Sequence, residues 1–167
     1  ITFVTFLIGS LAISGIPPFS GFFSKDEILT MAFQQNKILW LIGAGASMMT
    51  AFYMFRIVFL TFFGKFRGSH EQEHHLHESP SLMTIPLIVL AVLATIGGFI
   101  GIPHIFNAQH LLNNFLAPVI ISVGESHGHL SASTEYILIG LAIGGAVIGI
   151  SIAYIMYMAK GIVPGKD

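Results

Sequence analysis

Cysteine is absent from this 167-residue sequence, and charged residues make up only 9% of it. A chain without cysteine can form no disulfide, no thiolate metal site and no iron–sulfur cluster of its own. The sequence also contains no glycine-rich dinucleotide-binding motif, no phosphate-binding loop and no HExxH zinc motif. We therefore expect this chain to hold no redox cofactor and no metal, and to bind no nucleic acid.

Apolar residues take the place of the missing charges. They make up 54% of the sequence, and the mean hydropathy is +0.81, whereas a soluble globular domain carries about 25% charged residues. This composition predicts an all-α polytopic membrane protein with about four transmembrane helices, the first of them discontinuous. The predicted spans cover residues 1–35 (broken), 38–63, 82–102 and 136–158, within a single membrane domain over residues 1–167.

Smaller features complete the predicted architecture. Polar residues at positions 34–37 predict a short loop after the first span. Apolar residues at roughly helical spacing between His104 and Ser133 predict a short amphipathic helix at the membrane interface. The sequence begins with Ile1 inside an apolar run, and we interpret the chain as the C-terminal fragment of a longer protein.

The first apolar stretch is interrupted in its middle. Pro17 and Pro18 lack a donor N–H and cannot continue a regular helix, and Gly15 and Gly21 flank them. A broken helix at membrane depth leaves backbone groups unpaired, and it is tolerated only where protein or a water-filled cavity surrounds it. We therefore expect the break at Pro17-Pro18 to line a path rather than to face lipid.

Three consecutive charges, Lys25, Asp26 and Glu27, follow the break. An ionisable residue inside a membrane span indicates a functional site, here an ion or proton path. Ser24 and Glu27 match a capping box, which predicts that the second half-helix begins at Ser24 with Lys25 in its first turn. The alternative is that these residues are only a helix cap and that Lys25 reaches the membrane interface.

Arg56 is the other charge placed inside a predicted span. It is either a buried partner of Asp26 or Glu27, or a side chain that reaches the nearby membrane surface, and the sequence does not decide between them. Further along the chain, the pairs Gly140/Gly144 and Gly145/Gly149 place small residues four positions apart, which predicts close packing of the last span on other helices.

The most polar connection, residues 64–80, contains four histidines: His70, His74, His75 and His77. Imidazoles are common metal ligands, but the interleaved glutamates are equally typical of a solvated loop. We assign no metal site here, and the role of these histidines stays open.

The positive residues predict the topology. Lys65 and Arg67 follow the second span, Lys160 and Lys166 follow the last, and alternation of the spans places these four on one side of the membrane. The other side has only Lys37. Loops rich in lysine and arginine face the cytoplasm, so we expect the 65–67 loop and the C-terminal tail there.

These motifs resemble those of the subunit L family of respiratory complex I, the large antiporter-like subunits of NADH:quinone oxidoreductase. The most specific stretch is GIPPFSGFFSKDEIL at residues 15–29. The similarity covers the chain to about Met158 and is weakest over residues 107–133. It continues through AFYMFR at 51–56, FGK at 63–65, HESP at 77–80 and IPLIVLA at 85–91.

The resemblance implies a role in proton translocation. In that family the second discontinuous helix carries a lysine at its break, which Lys25 matches, and a neighbouring acid, which Asp26 matches; the two are implicated in passing protons to the outer side. NADH, FMN, iron–sulfur clusters and quinone are then expected only in other subunits. The implied partners are other membrane subunits, with the antiporter-like subunit M as neighbour, and the implied location is a bacterial inner membrane.

Two other interpretations stay open. The large subunit of a multi-subunit sodium/proton antiporter shares this fold and a similar break. A purely structural membrane protein is the other, but burying charges at a break costs several kcal/mol. A structural role would therefore require Lys25 to be paired with an acid.

Overall fold

The computed structural model describes residues 1–64, 66, 68–70, 73, 77–101 and 131–161. The helices, in chain order, are α1 (Thr2–Ser14), α2 (Ser20–Gln35), α3 (Lys37–Val58), α4 (Ser81–Ile96) and α5 (Ala132–Tyr154). A π-helical turn, Phe59–Phe63, continues α3; a 3-10 turn, Gly97–Gly101, continues α4; and a π-helical turn, Ile155–Ala159, continues α5. The interfacial helix expected between residues 104 and 133 falls mainly on residues 102–130, outside this description.

The described helices confirm the all-α membrane architecture. Three of them are long and apolar enough to cross a membrane: Lys37–Phe63, Ser81–Phe99 and Ser133–Ala159. The short apolar helix α1 and the following α2 occupy residues 2–35, where the sequence predicts a broken first span.

The break between α1 and α2 lies at the predicted position. Gly15 ends α1 in the left-handed conformation, with φ of 76°, and its N–H donates to the carbonyl of Ala12. The peptide bond between Pro17 and Pro18 is cis. A residue with a Cβ is strained at such a positive φ, so glycine suits this turn.

The start of α2 differs from the prediction. Phe19, in extended backbone, is the N-cap, and Ser24 lies in the second turn, where its hydroxyl faces the carbonyl of Ser20 at 3.5 Å. The capping box predicted at Ser24 is therefore wrong. Amides of a first helical turn need no partner within the helix, so α2 can begin as soon as the prolines end, which places Lys25 in the second turn.

The polar loop predicted at residues 34–37 is also shorter in the structure. Only Asn36 separates α2 from α3, because Gln35 still belongs to α2 and Lys37 begins α3. The side-chain oxygen of Asn36 accepts a hydrogen bond of 2.8 Å from the N–H of Ile38 and caps α3. Asparagine is a favoured N-cap for this reason.

The most extensive contact between helices joins α3 and α5. A Cβ on Gly149 would lie 2.5 Å from the carbonyl oxygen of Met48, and one on Gly145 would lie 3.9 Å from the Met48 Cβ. This pair confirms the predicted close packing. Gly140 and Gly144, by contrast, have no atom of the described residues within 4 Å of such a Cβ, so the first glycine pair does not pack within this part of the chain.

Aromatic contacts show which helix ends meet. At one end of the bundle, Phe3 of α1 packs on Phe62 after α3, with ring centroids 5.0 Å apart, and Phe59 packs on Tyr154 of α5 at 5.8 Å. The C-terminal ends of α3 and α5 are therefore side by side, and the two helices run parallel. This agrees with the prediction that the segments following these two spans lie on the same side of the membrane.

Candidate functional site

The candidate site lies where the second turn of α2 faces the middle of α3, beside the break. The Lys25 ammonium is 3.4 Å from the hydroxyl of Ser47. Its aliphatic stem passes Gly15, where a Cβ would lie 3.3 Å from the Lys25 Cδ. The glycine that makes the turn therefore also provides the space for the lysine side chain.

No acid neutralises Lys25 within the described residues. The one ion pair between side chains in that part of the chain joins His70 to Glu73. Asp26 follows Lys25 directly, but consecutive helical residues point about 100° apart. A purely structural role for Lys25 would require a pair with an acid, and no such pair is present among the described residues.

Asp26 is the buried member of the three predicted charges. Its side chain is 6% exposed, and its Oδ1 has no hydrogen-bond partner among the residues that the structure describes. Glu135, in the first turn of α5, and Glu27 act on it electrostatically. Glu27 itself is exposed on the outer face of α2, so the structure brings Lys25 and Asp26 inward and leaves Glu27 outside.

Buried hydroxyl groups lie on the α1 side of the break. Ser10 is fully buried and donates to the carbonyl of Phe6 at 2.8 Å. Ser14, 1% exposed and next to Gly15, has no hydrogen-bond partner within the described ranges. Buried polar side chains of this kind need a partner such as water, so the break is a polar position within an otherwise apolar bundle.

Arg56 lies away from these acids. Its guanidinium stands 5.6 Å from the ring centroid of Tyr157, near the end of α5, and no ion pair with Asp26 or Glu27 is present in the part of the chain described. Arg56 follows Ser47 by nine residues, or about 13 Å along a helix axis. This placement favours the alternative in which Arg56 reaches the end of the bundle.

The histidine connection gives no metal centre in the part that is described. His70 lies 3.8 Å from Glu73 on an exposed turn, and His74 and His75 fall outside the described residues. Among the described residues no group of three or more metal-ligating side chains comes together. The predicted absence of a metal site stays a prediction.

Glu78, at the end of that connection, ties the start of α1 to the start of α4. It accepts hydrogen bonds from the Thr2 hydroxyl and, at 3.1 Å, from the Thr2 N–H. The hydrogen bond from the Thr2 hydroxyl above all lowers the pKa of the Glu78 carboxyl below its ordinary value of 4.5. The carboxyl is therefore ionised at neutral pH.

Sequence reasoning missed three residues of the site: Ser14, Ser47 and Glu135. Serines are common in apolar helices, where they bond to their own backbone, so nothing in the pattern distinguished Ser14 or Ser47. Glu135 offered no distinguishing signal either, since an acid in the first turn of a helix is common. Its nearness to Asp26 depends on how α5 packs, which the sequence does not give.

Comparisons with known proteins match nearly the whole chain, including the residues of the site. A family model described as NADH:quinone oxidoreductase/Mrp antiporter, TM, covers residues 1–51. A second, described as the C-terminal transmembrane segments of a complex I NADH dehydrogenase chain, covers residues 53–161.

Individual relatives agree with these models. The NAD(P)H-quinone oxidoreductase chain 5 of Picosynechococcus sp. is 44% identical over 99% of this chain and 27% of its own length. The chloroplastic NAD(P)H-quinone oxidoreductase subunit 5 of Chlorokybus atmophyticus is 38% identical over 94% of this chain and 24% of its own length. The same figures hold for the NADH-quinone oxidoreductase subunit L of Mycobacterium tuberculosis. The chain spans about a quarter of the length of these relatives.

Proposed function

Since this chain belongs to the family of complex I membrane subunits that includes NADH-quinone oxidoreductase subunit L, we propose that it forms part of a proton path and that Lys25 carries the proton. Membership of the family confirms the resemblance found in the sequence. The chain is an integral membrane protein by its three long apolar helices and its family. The proposal concerns what the broken span does there.

One observation carries the proposal: a half-buried lysine at a helix break whose polar contact is a hydroxyl rather than a carboxylate. A buried lysine locked to an acid is a static ion pair, since separating the two charges at low dielectric is costly. The Lys25 ammonium, 3.4 Å from Ser47, has no such lock within the described ranges. It can release its proton to water or a nearby acid and take up another.

Neighbouring groups supply the route. Asp26 is buried beside Lys25 with an oxygen that has no partner in the described part of the chain, and Glu135 lies within its electrostatic range. Carboxylates of this kind can accept a proton from Lys25 and pass it on through water. Glu27, on the outer face of α2, extends the acidic path towards the surface.

The setting follows from the same proposal. The chain works inside a larger NADH:quinone oxidoreductase in a bacterial inner membrane, next to the antiporter-like subunit M and surrounded by lipid. NADH, FMN, iron–sulfur clusters and quinone sit in other subunits, and the free energy of quinone reduction drives the protonation changes of Lys25. The loop after α3 and the tail after α5 face the cytoplasm by their positive charge.

The test replaces Lys25 by alanine in the full-length protein, assembled in its complex and reconstituted in liposomes. Proton uptake and quinone reduction are recorded together, with NADH or NADPH as electron donor. We expect assembly to be intact and both rates to be lost. Lys37→Ala, a lysine at the start of α3 near the membrane surface, is the matched control and keeps wild-type rates. Wild-type proton uptake in Lys25→Ala would contradict the proposal.

A sodium/proton antiporter is the second candidate. The family model over residues 1–51 includes antiporters by its description, and this half carries Lys25. The model over residues 53–161 and the names of the relatives favour the oxidoreductase. Sodium-dependent proton exchange by the purified assembly, without any NADH-oxidising activity, would favour the antiporter instead.

A further inference from the structure

We propose that Ser47 is the positioning residue of Lys25, a hydroxyl that holds the side chain at the break in both of its charge states. This inference rests on the proposed function of Lys25 and names a group that the family motifs around the break do not contain. It starts from a difference between Ser47 and the other hydroxyl residues of the bundle.

Hydroxyl side chains in these helices mostly bond to their own backbone. The hydroxyls of Ser10, Thr50, Thr95 and Ser151 each donate to the carbonyl four residues earlier, at distances of 2.8 to 2.9 Å. Ser47 differs, because its hydroxyl faces the Lys25 ammonium on the neighbouring helix at 3.4 Å. Its side chain therefore links α2 to α3 at the depth of the break.

A hydroxyl suits a lysine that changes its charge. An ammonium group only donates hydrogen bonds, whereas the neutral amine also offers a lone pair as acceptor. The Ser47 hydroxyl can accept from the ammonium and, after a rotation about its C–O bond, donate to the amine. A carboxylate in the same place could only accept, and it would hold Lys25 in its charged form.

The position of the Lys25 stem makes Ser47 the residue that fixes where the Lys25 ammonium lies. The stem passes the side of Gly15 that carries no side chain, where a Cβ would be 3.3 Å from the Lys25 Cδ. The helices α2 and α3 are also closely packed here, since a Cβ on Gly43 would lie 3.0 Å from Leu29. The ammonium is thus directed at α3. Loss of the Ser47 hydroxyl leaves this end of the side chain without its contact.

The experiment uses the full-length protein in its assembled, reconstituted complex and compares Ser47→Ala, Ser47→Thr and Ser47→Asp. We expect Ser47→Ala to lower proton uptake about tenfold, which is near the lower end for one hydrogen bond to a charged group. Ser47→Thr keeps the hydroxyl and restores most of the uptake. Ser47→Asp assembles but loses proton uptake, because it fixes Lys25 in an ion pair.

Two controls separate a positioning role from a structural one. Thr50→Ala removes a hydroxyl from the same helix that bonds only to the Ala46 carbonyl, and we expect wild-type uptake. The pH profile of proton uptake shifts in Ser47→Ala, whereas a merely structural defect would lower uptake by the same factor at every pH.

The outcomes distinguish this inference from the proposed function. If Lys25→Ala abolishes proton uptake while Ser47→Ala and Ser47→Asp both behave as wild type, Lys25 still carries protons and the role of Ser47 is refuted. If Lys25→Ala itself pumps normally, the proposed function fails and the inference fails with it. If Ser47→Ala fails to assemble and Ser47→Asp shows wild-type uptake, the inference is also refuted.

Discussion

Gly21 of α2 lies directly against the backbone of α1, and replacing it by alanine tests how the break is built. A Cβ at this position would overlap the carbonyl oxygen of Ala12 and lie 2.9 Å from its carbonyl carbon. Carbon atoms in contact prefer about 3.5–4.0 Å, so the contact with the carbonyl carbon alone requires a separation of about 0.6–1.1 Å, and the overlap with the oxygen requires more. Both neighbouring atoms belong to the backbone, and no side-chain rotation can relieve the overlap.

The displacement acts on the site because Lys25 follows Gly21 by one helical turn, on the same face of α2. The contact from Lys25 to Ser47 is already 3.4 Å long, close to the limit for a hydrogen bond, and a further shift breaks it. Overpacking of this kind costs about 1–3 kcal/mol, while the higher helix propensity of alanine offsets up to about 1 kcal/mol. We therefore expect a moderate loss of stability and a larger loss of proton uptake.

The assay measures thermal unfolding of the assembled complex and proton uptake per quinone reduced. Gly9→Ala is the matched control, because a Cβ there meets no described atom within 4 Å. It should leave both quantities unchanged. A Gly21→Ala complex with wild-type unfolding temperature and wild-type coupling would refute the idea that the start of α2 rests on the end of α1.

Two further predictions concern contacts outside the break. Gly149→Ala lowers the unfolding temperature, because its Cβ would lie 2.5 Å from the Met48 carbonyl oxygen. Gly140→Ala does not, because no atom of the described residues lies within 4 Å of its Cβ, and equal unfolding temperatures would contradict the described packing. For Glu78, a lowered pKa means that its bond to Thr2 stabilises the protein fully above the ordinary value of 4.5 and that this stabilisation is lost as the pH falls through the lowered pKa. The difference in unfolding temperature between wild type and Glu78→Gln should therefore shrink as the pH falls below about 4.5, and a constant difference would contradict the assignment.

The spans and the break were predictable because each depends on local chemistry. Long apolar runs need a membrane or a protein interior wherever the rest of the chain lies. Pro17 and Pro18 interrupt a helix in any surroundings, since they lack the N–H that the helix requires. The start of α2 was predicted less well, because a capping box at Ser24 competes with a helix that can begin directly after the prolines.

The partners of the charges were not predictable, because they depend on how the helices pack. Ser47 lies in an apolar helix with no charge near it in sequence, and only the packing of α2 on α3 places it at Lys25. Glu135 is more than a hundred residues from Asp26 in the chain. Arg56 illustrates the same point, since its depth in α3 followed from the sequence but its contact with Tyr157 did not.

The central claim is that Lys25 changes its charge during turnover, and Lys25→Arg tests it most directly. Arginine keeps the positive charge and a similar length, but it does not deprotonate in proteins. The measurements are proton uptake and quinone reduction, recorded together in the reconstituted complex, beside Lys37→Arg. The account predicts that Lys25→Arg assembles and loses proton uptake as Lys25→Ala does. Wild-type uptake in Lys25→Arg would contradict it and would make Lys25 a fixed charge.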